Sequence, residues 1–370
     1  MIYLDYAATS PVREEVLAEM LPFFRQKFYN PDSLHAGGRA AARAVRAARD
    51  EIAALVGVSP TEVYFTSGGT EADNWAVRGI AREGGILLSP VEHAAVLSAA
   101  RRFRTDVRLC RVGEDGVISP DHVRELLLRE GGVSVVGVMA VNNETGCVQP
   151  VKALAGAAHA AGAYFFSDCV QAACSCDLKE ISACCDALSL SAHKAGGPKG
   201  VGALIVKKGV PAEPLIAGGE QERGLRGGTS NVAGIVGFAA ALRLAQAERA
   251  RFVRHTGSLR DAFEQRILCA LGGDVRVDGG RRAPNISHLT FARGGTALLA
   301  ALDLAGLACS GGAACSAHSR APSHVLMAMG RGEEEALCGI RFSFGMETTE
   351  EEARAAAEIV VAEYRRFSAQ

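Results

Sequence analysis

The sequence has no basic tail and no basic stripe. Its 370 residues carry 40 Lys and Arg against 41 Asp and Glu, a net charge of −1, so the electrostatic footprint of a direct nucleic-acid partner is missing. No apolar run reaches the length of a membrane span. The nearest approach, Val232 to Leu244, is interrupted by Gly234, Gly237 and Arg243. Met1-Ile2-Tyr3-Leu4-Asp5-Tyr6 has neither a basic n-region nor an apolar h-region, so no signal peptide is expected. Eleven cysteines without an export signal then point to a reducing compartment, free thiols and a cytoplasmic protein. Cys174, Cys176, Cys184 and Cys185 cluster but lack Cys-x-x-Cys spacing. They read as buried small hydrophobes, and no metal site is expected. No internal repeat or low-complexity segment is visible.

What is present is enough apolar sequence, 48% of the chain, for a large core, and a length that suits one large domain plus a smaller one. Ser10-Pro11 reads as the N-cap and first position of a helix, with Val12, Val16, Leu17, Met20, Leu21 and Phe24 as its apolar stripe. A second helix runs from Arg39 to Val56 and stops at Gly57. Short apolar runs then alternate with helical segments: Val63 to Phe65, Ile86 to Leu88, Val107 to Cys110, Val133 to Val141, Tyr164 to Phe166, Ala187 to Leu190 and Gly202 to Lys207. A helix through Arg82 follows the first of them. Val133 to Val141 is apolar on both faces, as a central parallel strand is.

The fold class implied is α/β: a large domain whose mostly parallel sheet is covered by helices on both faces, with ligands bound at the strands' carboxyl ends. After Asn231 a helix to about Glu248 leads to a second region. There Arg251 to Leu271 and Thr296 to Leu304 read as helices, and Ile286 to Phe291 and Ile340 to Phe344 as strands. A capping box, Thr349 with Glu352, opens a last helix to about Phe367. This makes a smaller α+β C-terminal domain. The expected division is 15–250 for the large domain, and 1–14 with 251–370 for the small one, which carries a cysteine loop at about 309–321.

The chemistry gathers at predicted strand ends. Ala187 to Leu190 delivers Ser191, His193 and Lys194, and Gly196-Gly197-Pro198-Lys199-Gly200 then turns the chain. A lysine between a buried strand and a glycine turn is desolvated, which favours the neutral amine that forms Schiff bases. Ser67-Gly68-Gly69-Thr70 lies between a strand and a helix N-terminus, where backbone N–H groups and the helix dipole favour an anion. Asp168, with Gln171 three residues on, can pair with a ring nitrogen and keep it protonated, making a pyridine ring an electron sink. His93 can stack on a flat ring or move protons near neutral pH. Asn142-Asn143-Glu144-Thr145-Gly146 adds polar lining. Singly these are a tight turn, an N-cap, a loop histidine and a loop lysine. Together they are a phosphate cradle, a ring-nitrogen partner, a ring face and an amine: a pyridoxal 5'-phosphate site.

Further stretches extend the pattern: Tyr3-Leu4-Asp5-Tyr6-Ala7-Ala8-Thr9, Phe65-Thr66-Ser67-Gly68-Gly69-Thr70-Glu71, Glu92-His93, Ser191-Ala192-His193-Lys194, Gly218 to Thr229, Cys309 to Cys315 and Ile340-Arg341-Phe342-Ser343. With these in order along the whole chain, the sequence resembles the class V aminotransferase-like enzymes of fold type I, and within them the NifS/IscS cysteine desulfurases. The resemblance implies that Lys194 forms the Schiff base, His93 stacks on the ring, Asp168 pairs with its nitrogen and Gln171 contacts its hydroxyl. It implies that Thr70, beside Gly69, with Ser191 and His193, holds the phosphate. Thr229 would reach the other subunit's cofactor, so a homodimer is implied. Asn143 and Arg341 would hold the substrate carboxylate.

Cys315 occupies the family's nucleophile position, and the seven-residue step to Pro322 resembles the long-loop branch, group I. The resemblance therefore implies conversion of L-cysteine to L-alanine, with a persulfide on Cys315 passed to a protein acceptor such as an iron–sulfur scaffold. Other reactions of the family, aminotransferase or selenocysteine lyase, are the alternatives. A non-catalytic scaffold is the remaining one, and the intact Lys194, His93, Asp168 and Cys315 argue against it. Two features depart from the pattern. Ser310-Gly311-Gly312-Ala313-Ala314-Cys315 stands where the family reads Ser-Ser-Gly-Ser-Ala-Cys, and Cys169 follows Asp168 where a small residue is usual. With Gln370 soon after the last helix, a longer scaffold-docking tail is not expected, and the acceptor stays open.

Overall fold

Buried strands without polar alternation need cover on both faces, and the chain supplies it. The structure, a computed structural model, describes residues 1–80, 83–311 and 321–368. Its strands are β1 (Ile2–Tyr3), β2 (Val63–Thr66), β3 (Gly85–Leu88), β4 (Val107–Leu109), β5 (Val133–Gly137), β6 (Tyr164–Asp168), β7 (Ala187–Ser191), β8 (Gly202–Val206), β9 (Val275–Val277), β10 (Ile286–Phe291), β11 (Leu307–Ala308), β12 (Ser310–Gly311) and β13 (Gly339–Ser343). Seven form one sheet in the order β2-β8-β7-β6-β5-β3-β4. All its pairings are parallel except those of β8, which runs antiparallel to β2 and β7. Helices Ala36–Val56 and Val151–Ala160 bury Ile52 and Leu154 with Phe165 and Leu188 on one face. Helices Gly69–Gly79 and Ala94–Phe103 bury Trp75 and Val96 with Leu88 and Phe166 on the other.

A second core holds Leu4, Phe263, Phe291, Phe342 and Phe344. It is built on the antiparallel sheet β12-β13-β10-β9, beside β1 paired with β11. The chain's first residues thus join its C-terminal part. Thr349 and Glu352 make the expected capping box, Thr349 Oγ1 accepting from the Glu352 N–H at 3.1 Å and Glu352 Oε2 from the Thr349 N–H at 2.9 Å. No helix among the described residues is long and apolar enough to cross a membrane.

Three expected elements differ. The first helix begins at Glu14, not Ser10. The Ser10 hydroxyl instead donates to the His193 carbonyl at 2.7 Å and accepts from the Gly196 N–H at 2.9 Å. Of the expected stripe Leu17, Leu21 and Phe24 are exposed. The strand expected to reach Val141 ends at Gly137; beyond it the Met139 N–H is taken by Glu92 Oε1 at 2.8 Å, while Val138 and Ala140 still donate to β6 carbonyls. The two helices expected after Asn231 are one helix of 40 residues, Val232–Leu271. The sequence between them, Arg249-Ala250, holds only good helix formers. Its first half packs in the large core through Phe238 and Leu242, its second in the smaller core through Phe263 and Ile267.

Candidate active site

The carboxyl ends of β6 and β7, the loops after β3 and β5, and Arg341 of β13 surround a cavity of about 540 Å³. Gly69, Thr70, His93, Asn143, Asp168, Gln171, Ser191, His193, Lys194 and Arg341 all line it. Residues chosen from sequence at separate strand ends are therefore brought together. Thr229 is not among them. It is exposed and lines a separate space of about 140 Å³ with Ser67, Gly200 and Arg226. Cys315 lies outside the described residues.

Lys194 leaves β7 through a single tight turn, Ala192–Lys194. Its Nζ donates to the Ala7 carbonyl at 2.5 Å and the Ala8 carbonyl at 2.9 Å. Gln171 Nε2 donates to the same Ala7 carbonyl at 2.7 Å. Sequence reasoning missed this role of the Asp5–Thr9 segment, which no local signal reveals. His193 is the next group over, its Nδ1 3.2 Å from Thr9 Oγ1. Burial, then the charges of Lys194 and Lys199, push its pKa down to about 4, so the ring is neutral at physiological pH.

The anion cradle is the start of helix Gly69–Gly79, whose first N–H groups have no intrahelical acceptor. Gly68 takes φ +153°, open to glycine, and a Cβ on Gly69 would stand 2.7 Å from Val170 Cγ2. Only bare backbone fits there. Glu71 braces the loop, accepting from the Ser67 N–H at 2.7 Å and from Arg226 Nε at 2.9 Å.

His93 caps helix Ala94–Phe103, its Nδ1 accepting from the Ala95 N–H at 3.1 Å. That acceptor role leaves the ring proton on Nε2. Asp168 ends β6, and its Oδ1 accepts from the Val170 N–H at 2.8 Å. Burial raises the Asp168 pKa, while that N–H first, then His93 and Lys194, pull against it. Arg341 is 2% exposed. Its guanidinium donates to the Asn143 carbonyl at 2.8 Å and to Asp5 Oδ1 at 2.7 Å. Asn143 thus meets Arg341 through its backbone. Next to Asp168, burial drives the Cys169 thiol well above its ordinary value, so it stays a protonated, inert thiol.

This donor set fits pyridoxal phosphate. A helix-start anion cradle, the neutral His193 imidazole, the buried Asp168 carboxyl beside His93 and Lys194, and a primary amine face one cavity. The chain belongs to the class-V aminotransferase family, which it matches over residues 2–355. Within that family it is 40% identical over 362 residues to the cysteine desulfurase IscS of Dictyoglomus turgidum, covering 95% of this chain and 91% of that protein. It is 44% identical over 361 residues to a cysteine desulfurase of Cereibacter sphaeroides, with 94% and 92% covered. Among solved structures it resembles a NifS-like protein at 34% identity, TM-score 0.90, with 98% and 99% of the two chains covered. A NifS-like protein from Rickettsia africae gives 28% identity and TM-score 0.91, with 99% of each chain covered.

Proposed function

We propose that the protein is a pyridoxal-phosphate-dependent cysteine desulfurase that turns L-cysteine into L-alanine and passes the sulfur on from Cys315. The observation that carries this reading is the meeting of Lys194, Asp168, His93 and Arg341 in one cavity, in a chain about 40% identical to cysteine desulfurases along nearly its whole length.

When bound, pyridoxal phosphate supplies an electron sink for negative charge at the substrate α-carbon. Lys194 would carry it, His93 would stack on its ring, Asp168 would pair with its nitrogen and Gln171 contact its hydroxyl, and Gly69, Thr70, Ser191 and His193 would hold its phosphate. Arg341 and Asn143 orient the substrate through its carboxylate; a planar guanidinium suits a two-oxygen anion. Lys194 Nζ moves the α-proton, which requires it to leave the Ala7 and Ala8 carbonyls. The Cys315 thiolate then attacks the substrate sulfur. A sulfur–sulfur bond forms on Cys315, the substrate's carbon–sulfur bond breaks, and its electron pair takes up a proton to give alanine.

Thr229, exposed on the glycine-rich stretch 218–228, is read as completing the site of a second subunit in a homodimer. The acceptor is read as a protein such as an iron–sulfur scaffold, and the enzyme as cytoplasmic. Incubation of the purified protein with cysteine should yield alanine and sulfane sulfur in equal amounts with no keto acid added. A strict keto-acid requirement would favour an aminotransferase instead.

A further inference from the structure

Three carboxyl groups lie in one buried cluster beside the cavity, and the chemistry above uses only Asp168. Asp73, on the inner face of helix Gly69–Gly79, is 2% exposed, Glu92, beside His93, 0%, and Asp168 5%. Asp73 and Glu92 each feel the charge of Asp168. Like charges that interact in a low-dielectric site are not all ionised unless cations offset them.

The offset is uneven. Asp168 accepts the Val170 N–H and faces His93 and Lys194. The Asp73 carboxyl has one hydrogen-bond partner among the described residues, the Ser189 hydroxyl at 2.5 Å. Glu92 has the Met139 N–H on Oε1, and its Oε2 has no hydrogen-bond partner among the described residues. Ser189 is 0% exposed and stands directly across the β6–β7 ladder from Asp168. The Asp73–Ser189 bond therefore fixes the strand neighbour of Asp168. The other titratable groups around the cluster are Cys169, close to Asp73 and Asp168, and Cys110, close to Glu92.

We propose that Asp73 is a positioning residue that stays a neutral carboxylic acid, leaving Asp168 as the negative charge that meets a protonated ring nitrogen. This deepens the pyridoxal-phosphate reading and rests on it. Burial first, then the Asp168 charge, push Asp73 upward, and they outweigh the Ser189 hydroxyl, whose donated hydrogen bond favours the ionised form. An ionised Asp73 would raise the proton affinity of Asp168 and favour a proton there over one on the ring.

The test is infrared difference spectroscopy on the full chain with isotope-labelled aspartate, first without added cofactor. At neutral pH the wild-type chain should show a protonated-carboxyl stretch that Asp73→Asn removes and Asp168→Asn retains. Pyridoxal phosphate is then added. Asp73→Asn, neutral and still an acceptor for Ser189, should keep the pH profile of the visible cofactor band and bind within about twofold of wild type. Asp73→Ala, lacking the acceptor, should bind about tenfold more weakly, so rescue by Asn separates the hydrogen bond from charge. A stretch unchanged in Asp73→Asn, or a visible-band midpoint moved by about one pH unit or more in that variant, would overturn the proposal. Absence of cofactor binding by the wild-type chain would overturn the cofactor reading and the positioning role with it. The infrared band decides the protonation of Asp73 by itself.

Discussion

Arg341 and Asp5, 336 positions apart, meet through a 2.7 Å hydrogen bond from the guanidinium to Oδ1. The turn after β1 thus holds an arginine that enters the cavity from β13. Asn143 holds the other terminal nitrogen through its carbonyl, and Arg341 Nε has no hydrogen-bond partner among the described residues. If Arg341 receives the substrate carboxylate, as proposed, Asp5 is the group that aims its guanidinium. Asp5→Ala should raise KM for cysteine about tenfold with kcat little changed, the mark of lost uniform binding. Steady-state kinetics decide it; equal falls in kcat and kcat/KM would place Asp5 in transition-state stabilisation instead.

Lys194 is tied to two carbonyls of the N-terminal segment, Ala7 and Ala8. The purified protein should be yellow, and Lys194→Ala should lose the covalently held cofactor. Borohydride reduction followed by peptide mapping should place pyridoxyl on Lys194. A modified lysine elsewhere, such as Lys199, would refute the assignment.

His193 gives a pH dependence with a definite sign. Its pKa falls from 6.5 to about 4 on folding, chiefly by burial. The unfolded chain binds the proton more readily, so the contribution to stability is complete above 6.5 and is lost as pH falls toward 4. His193→Gln, which cannot charge, should melt progressively higher relative to wild type as pH is lowered through that window. A melting difference that stays constant with pH would show that His193 is not held neutral.

The strands and the site's core were legible because their signals are local. Ala187–Ser191 is a buried run that ends in a glycine turn, so the position of Lys194 follows from a dozen residues. Asp168 and Gly69 are set by strand ends in the same way. Long-range partners were not legible. Nothing near Asp5 announces Arg341, and nothing near Ser10 announces the His193 carbonyl that diverts its hydroxyl from capping. Nothing near Glu92 announces that its carboxyl takes the Met139 N–H just past β5. The break expected near Glu248 had no proline or glycine behind it, and the helix runs on to Leu271.

Thr229 stands apart from the main cavity, in the smaller space beside Ser67 and Gly200. If a second subunit's site is completed by it, sedimentation should give a dimer, and Thr229→Ala should weaken pyridoxal-phosphate binding without dissociating that dimer. A fully active monomer at low concentration would contradict the shared site.

The central claim is that Cys315, among the eleven cysteines, carries the transferred sulfur. Its rivals near the cavity are poor nucleophiles: burial raises the Cys169 thiol far above its ordinary value and pushes Cys174 up to about 12. The most direct measurement is mass spectrometry of the protein after incubation with cysteine, comparing wild type with Cys315→Ser. The account predicts one added sulfur on the Cys315 peptide of wild type. Cys315→Ser should still bind cysteine and shift the cofactor spectrum, yet carry no added sulfur and release no sulfide. Alanine formed by Cys315→Ser at the wild-type rate, or stoichiometric persulfide on Cys169, would contradict it.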